Sequence, residues 1–285
     1  AEGAIAISVL SHCTALVKLS LFGVGIGQQG MEDLIKVLKQ NTSLQLIDLR
    51  NNGLQKEQAM DIMQAVEHLP NLEHLCGVPV DGLKKGTVKK VLLENLYIGE
   101  GESVIIMKLL RSNVSVTHLN LRGTHIIDDD LPDLLSFVGG NSNLKHLDLR
   151  DNDLSFQSGI TLIESSLPSL EVISGVPVLA VRTNDIKALD LGGMDIGAFG
   201  SSIAVYMLQH NTSITSLKLA SCNLGPWAVG DIVKFLQKSQ VLTELDVRDN
   251  DFSLSDGFEL LAALGDRRRQ INSFCAIPLA GMLRN

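Results

Sequence analysis

At 285 residues, with 45% hydrophobic and 20% charged side chains, the chain has ample apolar surface for a core. Its formal charge of −8 excludes the general basic balance of a nucleic-acid binder. Four scattered cysteines (Cys13, Cys76, Cys222, Cys275) are too sparse for a disulfide framework, which points to a reducing, intracellular compartment, cytoplasmic or organellar.

In chain order, predicted strands begin at residues 16, 44, 72, 88, 116, 144, 170, 186, 214, 242 and 271. Eight of these starts share one pattern, L-x-x-L-x-L-x-x-(N/C/T/other)-x-L. It is seen in Leu44-QLIDLRNNGL, Leu144-KHLDLRDNDL and Leu242-TELDVRDNDF, and with more substitution in Leu16-VKLSLFGVGI and Val116-THLNLRGTHI. After most strands, segments such as Met31-EDLIKVLK, Glu57-QAMDIMQAV, Val104-IIMKLL, Ile203-AVYMLQ and Asp231-IVKFLQ carry apolar residues at helical spacing. The longest apolar run, Ile203–Leu208, is far short of the roughly 18 residues of a spanning helix, so membrane contact is expected only at the periphery.

Three units diverge early: Leu72-EHLCGVPV, Leu170-EVISGVPV and Ile271-NSFCAIPL. After the first two, the step to the next strand is 16 residues rather than 26 to 29. Sixteen residues leave no room for a full helix. Pro79, Pro177 and Pro278 each remove a backbone donor, so the return leg is expected to be extended, thinning the outer wall and altering its curvature. Such a unit is either a tolerated degenerate repeat or a notch shaped for a partner.

A longer period of 98 to 101 residues groups the units into modules, roughly 1–87, 88–185 and 186–285. The chain opens inside a repeat and is read as a piece of a longer array, one continuous domain of stacked units. Inner strand residues, among them Leu93, Leu121, Leu149, Leu191 and Leu219, are assigned to the core. The ninth position (Asn52, Thr124, Asn152, Cys222, Asn250) can bond orphaned backbone groups of the turn.

The 28-residue spacing, strand pattern and ninth position resemble the ribonuclease-inhibitor-like class of leucine-rich repeats. The short G-V-P-V units are similar to interrupted arrays of unicellular algae. The resemblance implies an α/β horseshoe-like solenoid of about eleven repeats, with a parallel β-sheet on the concave side and helices on the convex side. It implies protein recognition as the usual role, and it carries over no catalytic residue, metal or cofactor.

Outward strand positions form two columns on the expected concave face. Asp48, Asn120, Asp148, Asp190 and Asp246 stand in one; Arg50, Arg122, Arg150 and Arg248 stand in the next. These arginines could fork onto partner carboxylates, or form surface ion pairs worth ~0–1 kcal/mol each. His118 and His146 share a column, and are read as solvated polar positions rather than zinc ligands. Phe22 is the clearest aromatic on this face.

On the convex side, Ile5, Val9, Ile105, Leu109, Ile203 and Met207 align across modules. They are read either as contacts between neighbouring helices or as an apolar ridge docking a partner. Gly25-Ile-Gly27-Gln-Gln-Gly30 is repeat punctuation rather than a dinucleotide loop. Asp128–Asp130 and Arg267–Arg269 suit the ends of helix dipoles, with a cation site at the former the sharper alternative. The sequons at Asn41, Asn113 and Asn211 are read as helix-stop chemistry through left-handed asparagine.

The expected function is non-enzymatic recognition or scaffolding of a protein partner, within a larger multi-subunit complex. The alternatives are a structural subunit docked through its convex helices, or a regulator or inhibitor of an enzyme. No nucleic-acid partner is expected.

Overall fold

The computed structural model describes residues 7, 10, 13, 15–96, 98–165, 168–265 and 270–279. The chain divides into two compact units, Ala1–Leu144 and Lys145–Asn285. The expected modules do not coincide with that division.

In the first unit the order is β1 (Lys18–Ser20), α1 (Gly27–Gln40), β2 (Leu46–Asp48), α2 (Lys56–Val66), β3 (His74–Leu75), β4 (Val78–Pro79) and α3 (Val80–Lys84). Then come β5 (Lys90–Leu92), α4 (Glu100–Leu110), β6 (His118–Asn120) and α5 (Leu131–Gly140). The second unit repeats the theme. It holds β7 (His146–Asp148), α6 (Phe156–Glu164), β8 (Val172–Ile173), α7 (Val178–Arg182), β9 (Ala188–Asp190) and α8 (Gly197–Leu208). It ends with β10 (Ser216–Lys218), α9 (Val229–Lys238), β11 (Glu244–Asp246), α10 (Leu254–Leu264), β12 (Ser273–Phe274) and β13 (Ile277–Pro278).

Successive repeats pair in parallel. Leu19 faces Ile47 and Ile47 faces Leu75 in the first unit, while Leu189, Leu217 and Leu245 run in line across β9, β10 and β11 in the second. Because strand side chains alternate, that register puts every leucine of the row inside. Leu93, Leu121, Leu149, Leu191 and Leu219 are buried with them. The helices close the other side of this core, with Leu34 and Leu38 of α1, Ile62 of α2, Phe137 of α5 and Phe235 of α9 fully enclosed. No helix among the described residues is long and apolar enough to cross a membrane.

Within each unit, two ladders of small polar side chains tie repeats to their predecessors. At the ninth position, Asn52 Nδ2 donates to the Leu49 carbonyl of its own repeat and the Leu21 carbonyl of the preceding one. Asn250 bridges Val247 and Leu219 in the same way. Cys222 keeps the role through its thiol, which donates to the Leu191 carbonyl at 2.9 Å. The second ladder lies where helices hand over to strands. Asn113 Nδ2 donates to the Leu83 carbonyl of the preceding repeat, while its Oδ1 accepts from the backbone of Ser115 and Val116. Asn211 does the same with Val181, Ser213 and Ile214, and Asn41 with Leu16, Ser43 and Leu44. Left-handed asparagine is therefore not what stops these helices. Asn41 has extended backbone (φ −83°, ψ 142°), and its backbone N–H closes the helix on the Val37 carbonyl while its side chain binds the neighbouring turns.

The short units differ from expectation. Their return leg is not simply extended. β3 reverses into β4 through Cys76 and Gly77, both at positive φ (50° and 87°), as a two-residue turn of the hairpin type. A five-residue helix, α3, follows directly. The same hairpin joins β12 to β13 through Cys275 and Ala276.

The apolar ridge is corrected by burial. Ile105 lies in the core cluster with Ile62 and Leu54, and Leu109 packs partly buried against that cluster. Ile203 is fully buried and Met207 nearly so. A Cβ at Gly159 of α6 would stand 3.3 Å from the Ile203 side chain, so α8 sits tightly against α6. Ile105 and Ile203 are consumed by contacts between neighbouring helices, whereas Leu109 and Met207 border open notches rather than a continuous ridge. Ile5 and Val9 lie outside the described residues, as do Arg267, Arg268 and Arg269.

Candidate functional site

Three strand ends carry the same side-chain pair. Asp48 closes β2, and Arg50 follows two residues on, on the same side of the extended chain. Arg50 Nε donates to Asp48 Oδ1 at 2.8 Å and Nη2 donates to Oδ2 at 2.7 Å. Arg150 clasps Asp148 at 3.0 and 2.6 Å, and Arg248 clasps Asp246 at 2.9 and 2.7 Å. Paired N–H donors on a carboxylate fix geometry as well as charge.

The expected columns therefore neutralise along each strand, rather than between strands. Across strands the neighbours are mixed: Ser20 faces Asp48, Leu92 faces Asn120, and Lys218 stands between Asp190 and Asp246. Burial alone would raise the Asp48 carboxyl, but the hydrogen bonds and charge of Arg50 outweigh it and hold the group below the usual range. At Asp246 the Arg248 hydrogen bond dominates and acts in the same direction.

The Arg50 guanidinium is also stacked. Its carbon lies 5.7 Å from the centroid of the Phe22 ring, contributed by the preceding repeat. On the following repeat, a Cβ at Gly77 would stand 3.5 Å from Nη1, so the hairpin backbone closes on it. Phe22 keeps about half its surface exposed, and Leu92 on β5 is 61% exposed, giving this strand face its apolar contacts.

The remaining face residues are held locally. Asn120 Oδ1 accepts from the Arg122 backbone, and its Nδ2 donates to Glu94. Asp190 accepts from the Gly192 backbone, as its sisters do from their arginines, but glycine offers it no guanidinium. His118 Nδ1 lies 2.8 Å from Thr117 Oγ1, and His146 Nε2 lies 3.9 Å from Glu171. Asp130 is not a waiting cation ligand: Ser103 Oγ and the Ile127 backbone donate to its two oxygens.

Behind each described short helix a notch opens. In the first unit it measures about 500 Å³ and lies between α3, the end of α4 and the turn at Ser112–Ser115. In the second unit the same place, between α7 and α8, holds a smaller notch of about 170 Å³. Its lining includes Val181, Arg182, Tyr206 and Met207. The cause is helix length: five residues cannot cover a flank that the eleven- and twelve-residue neighbours expose.

Residues 140–155, 210–226 and 238–260 match a family model described as Leucine Rich repeat. These segments are leucine-rich repeats. Among curated proteins, the chain is 24% identical over 254 residues to mouse (Mus musculus) NACHT, LRR and PYD domains-containing protein 14, covering 83% of this chain and 24% of that protein. It is 26% identical over 234 residues to pig (Sus scrofa) ribonuclease inhibitor, covering 76% of this chain and 47% of that one. The chain thus spans from about a quarter to a half of these relatives' length. Among solved structures, the leucine-rich repeat-containing protein LegL7 from Legionella pneumophila aligns over 100% of this chain and 93% of its own. The identity is 15% and the TM-score 0.31.

The glycines of Gly25-Ile-Gly27 take left-handed backbone as they lead into α1. Reading the sequence found the residues of the strand face but not how Asp and Arg would pair. It also missed the lysines of the notch, because Lys84 and Lys85 at the end of α3 and Lys108 on α4 border one notch only where α3 is short.

Proposed function

We propose that this chain is a non-enzymatic protein-recognition module that binds through its strand face, inside a reducing compartment. The Asp–Arg clasps at Asp48, Asp148 and Asp246 carry the reading. They place planar cations on an ordered surface before any partner arrives, so less side-chain freedom is lost on binding. The repeat spacing supports about eleven repeats in a horseshoe-like array, whose inner face is the usual contact surface of stacked repeats. Four free thiols support the reducing compartment. The likeness to ribonuclease inhibitor supports a second reading, in which the bound protein is an enzyme that the module regulates.

A photo-cross-linking amino acid placed at Ser20, Asn120 or Lys218 tests this in extracts of the source cell. Capture of one defined partner from these positions, and not from Lys36 or Lys234 on helices, is the expected result. Capture from the helix positions alone overturns the strand face as the contact surface.

A further inference from the structure

We propose that the first-unit notch is a second docking site, distinct from the strand face, for an acidic peptide segment carrying an apolar anchor. Its floor is apolar: Val80 and Leu83 of α3, Leu109 of α4 and Val114 of the turn that follows. Val114 is 56% exposed, which is unusual for a valine framed by buried neighbours on both sides. The rim is cationic, with Lys84 and Lys85 on one bank and Lys108 on the other. No carboxylate lines the notch, although the chain as a whole carries a charge of −8.

Lys85 is engaged with Asp81 at 2.8 Å. Lys84 and Lys108 have no carboxylate partner among the described residues. Two ammonium groups on the rim of one apolar notch are complementary to an anchor side chain flanked by Asp or Glu. A cavity of nearly the same size between α1 and α2 is lined instead by Glu32, Glu57 and Asp61, so the charge belongs to this notch and not to such grooves in general.

The notch of the second unit keeps one cation, Arg182 at the place of Lys84, but Tyr206 replaces Lys108. The Tyr206 hydroxyl donates to Glu164 at 2.9 Å, and the volume is smaller. The acidic-peptide site is therefore assigned to the first unit alone.

The test uses the full chain and a fluorescein-labelled short peptide with a central Leu-Leu between runs of Glu and Asp, read by fluorescence anisotropy. Lys84→Glu with Lys108→Glu should weaken binding by about tenfold or more. Both side chains are on the surface, so unchanged thermal unfolding is the check on folding. Lys36→Glu with Lys39→Glu alters the same charge on α1 and should leave binding intact. Val114→Asp should weaken it severalfold. Equal loss from both lysine pairs reduces the effect to overall charge and overturns the site. A peptide whose leucines are replaced by aspartate, if it binds as tightly as the original, overturns the apolar anchor. The strand face enters none of these measurements, so its own test stands or falls separately.

Discussion

At the scale of single residues, burial decides which groups react and which titrate. Cys76 is wholly buried at the hairpin turn, and burial pushes its thiol up to about 12. Burial does the same to Cys222, again to about 12, and raises Cys275 in lesser degree. Since the thiolate is the reactive form, a disulfide dye should label exposed Cys13 at once and Cys275 slowly. Cys76 and Cys222 should label only after denaturant is added. Glu102 is the other outlier. It is fully buried at the start of α4, and among the described residues neither carboxylate oxygen has a hydrogen-bond partner. Burial raises its pKa, opposed by nearby backbone N–H groups of Glu102, Gly99, Asn52 and Asn51. A carboxyl raised in the fold holds its proton more tightly there than in the unfolded chain. Its stabilising contribution is therefore complete below the unfolded value and is lost as pH rises through the folded one. Glu102→Gln should melt a few degrees higher than the parent at pH 8 and close to it at pH 4, in parallel calorimetric scans. A pH-independent difference would contradict the cause given. None of this was legible from the repeat pattern, because the sister position in the second unit is Gly200 and the motif sets no residue there.

At the scale of elements, the leucine rows and the helices were readable in advance from periods of two and of three to four residues, and the ninth-position asparagines from the longer repeat. The hairpins were not read, although their signal was present. L-C-G-V and I-S-G-V each place two small residues between strand formers, but a proline one residue past the turn is equally compatible with an extended return leg. That turn demands positive φ at both central residues. Gly77 meets the demand freely, whereas the third copy uses Ala276 at φ 61°. Ala276→Gly should therefore stabilise the chain by about 1 kcal/mol, against the usual loss for a glycine substitution. Denaturant midpoints of the two proteins give the comparison, and a lower midpoint for the glycine variant would show that the alanine is unstrained.

At the scale of the whole molecule, each repeat depends on its neighbours for the other half of its core. Gly159 marks how close that dependence is. A methyl group there would collide with Ser202 Oγ and stand 2.7 Å from the Phe199 carbonyl oxygen of α8. Gly159→Ala should cost about 1–3 kcal/mol by wedging α6 from α8. In hydrogen exchange, protection should fall across 156–208 and persist in 18–66; uniform loss would point to a single cooperative block instead. The buried asparagine ladder has a consequence for how such a chain can be made. Asn41, Asn113 and Asn211 satisfy the acceptor signature for an oligosaccharide, yet their amides are enclosed and fully engaged once the repeats close. A sugar tree added during synthesis in the endoplasmic reticulum would occupy the very nitrogen that joins one repeat to the last. Burial at those three positions leaves a sugar tree little room beside the neighbouring repeat, so a glycosylated chain is expected to fold less stably than a bare one.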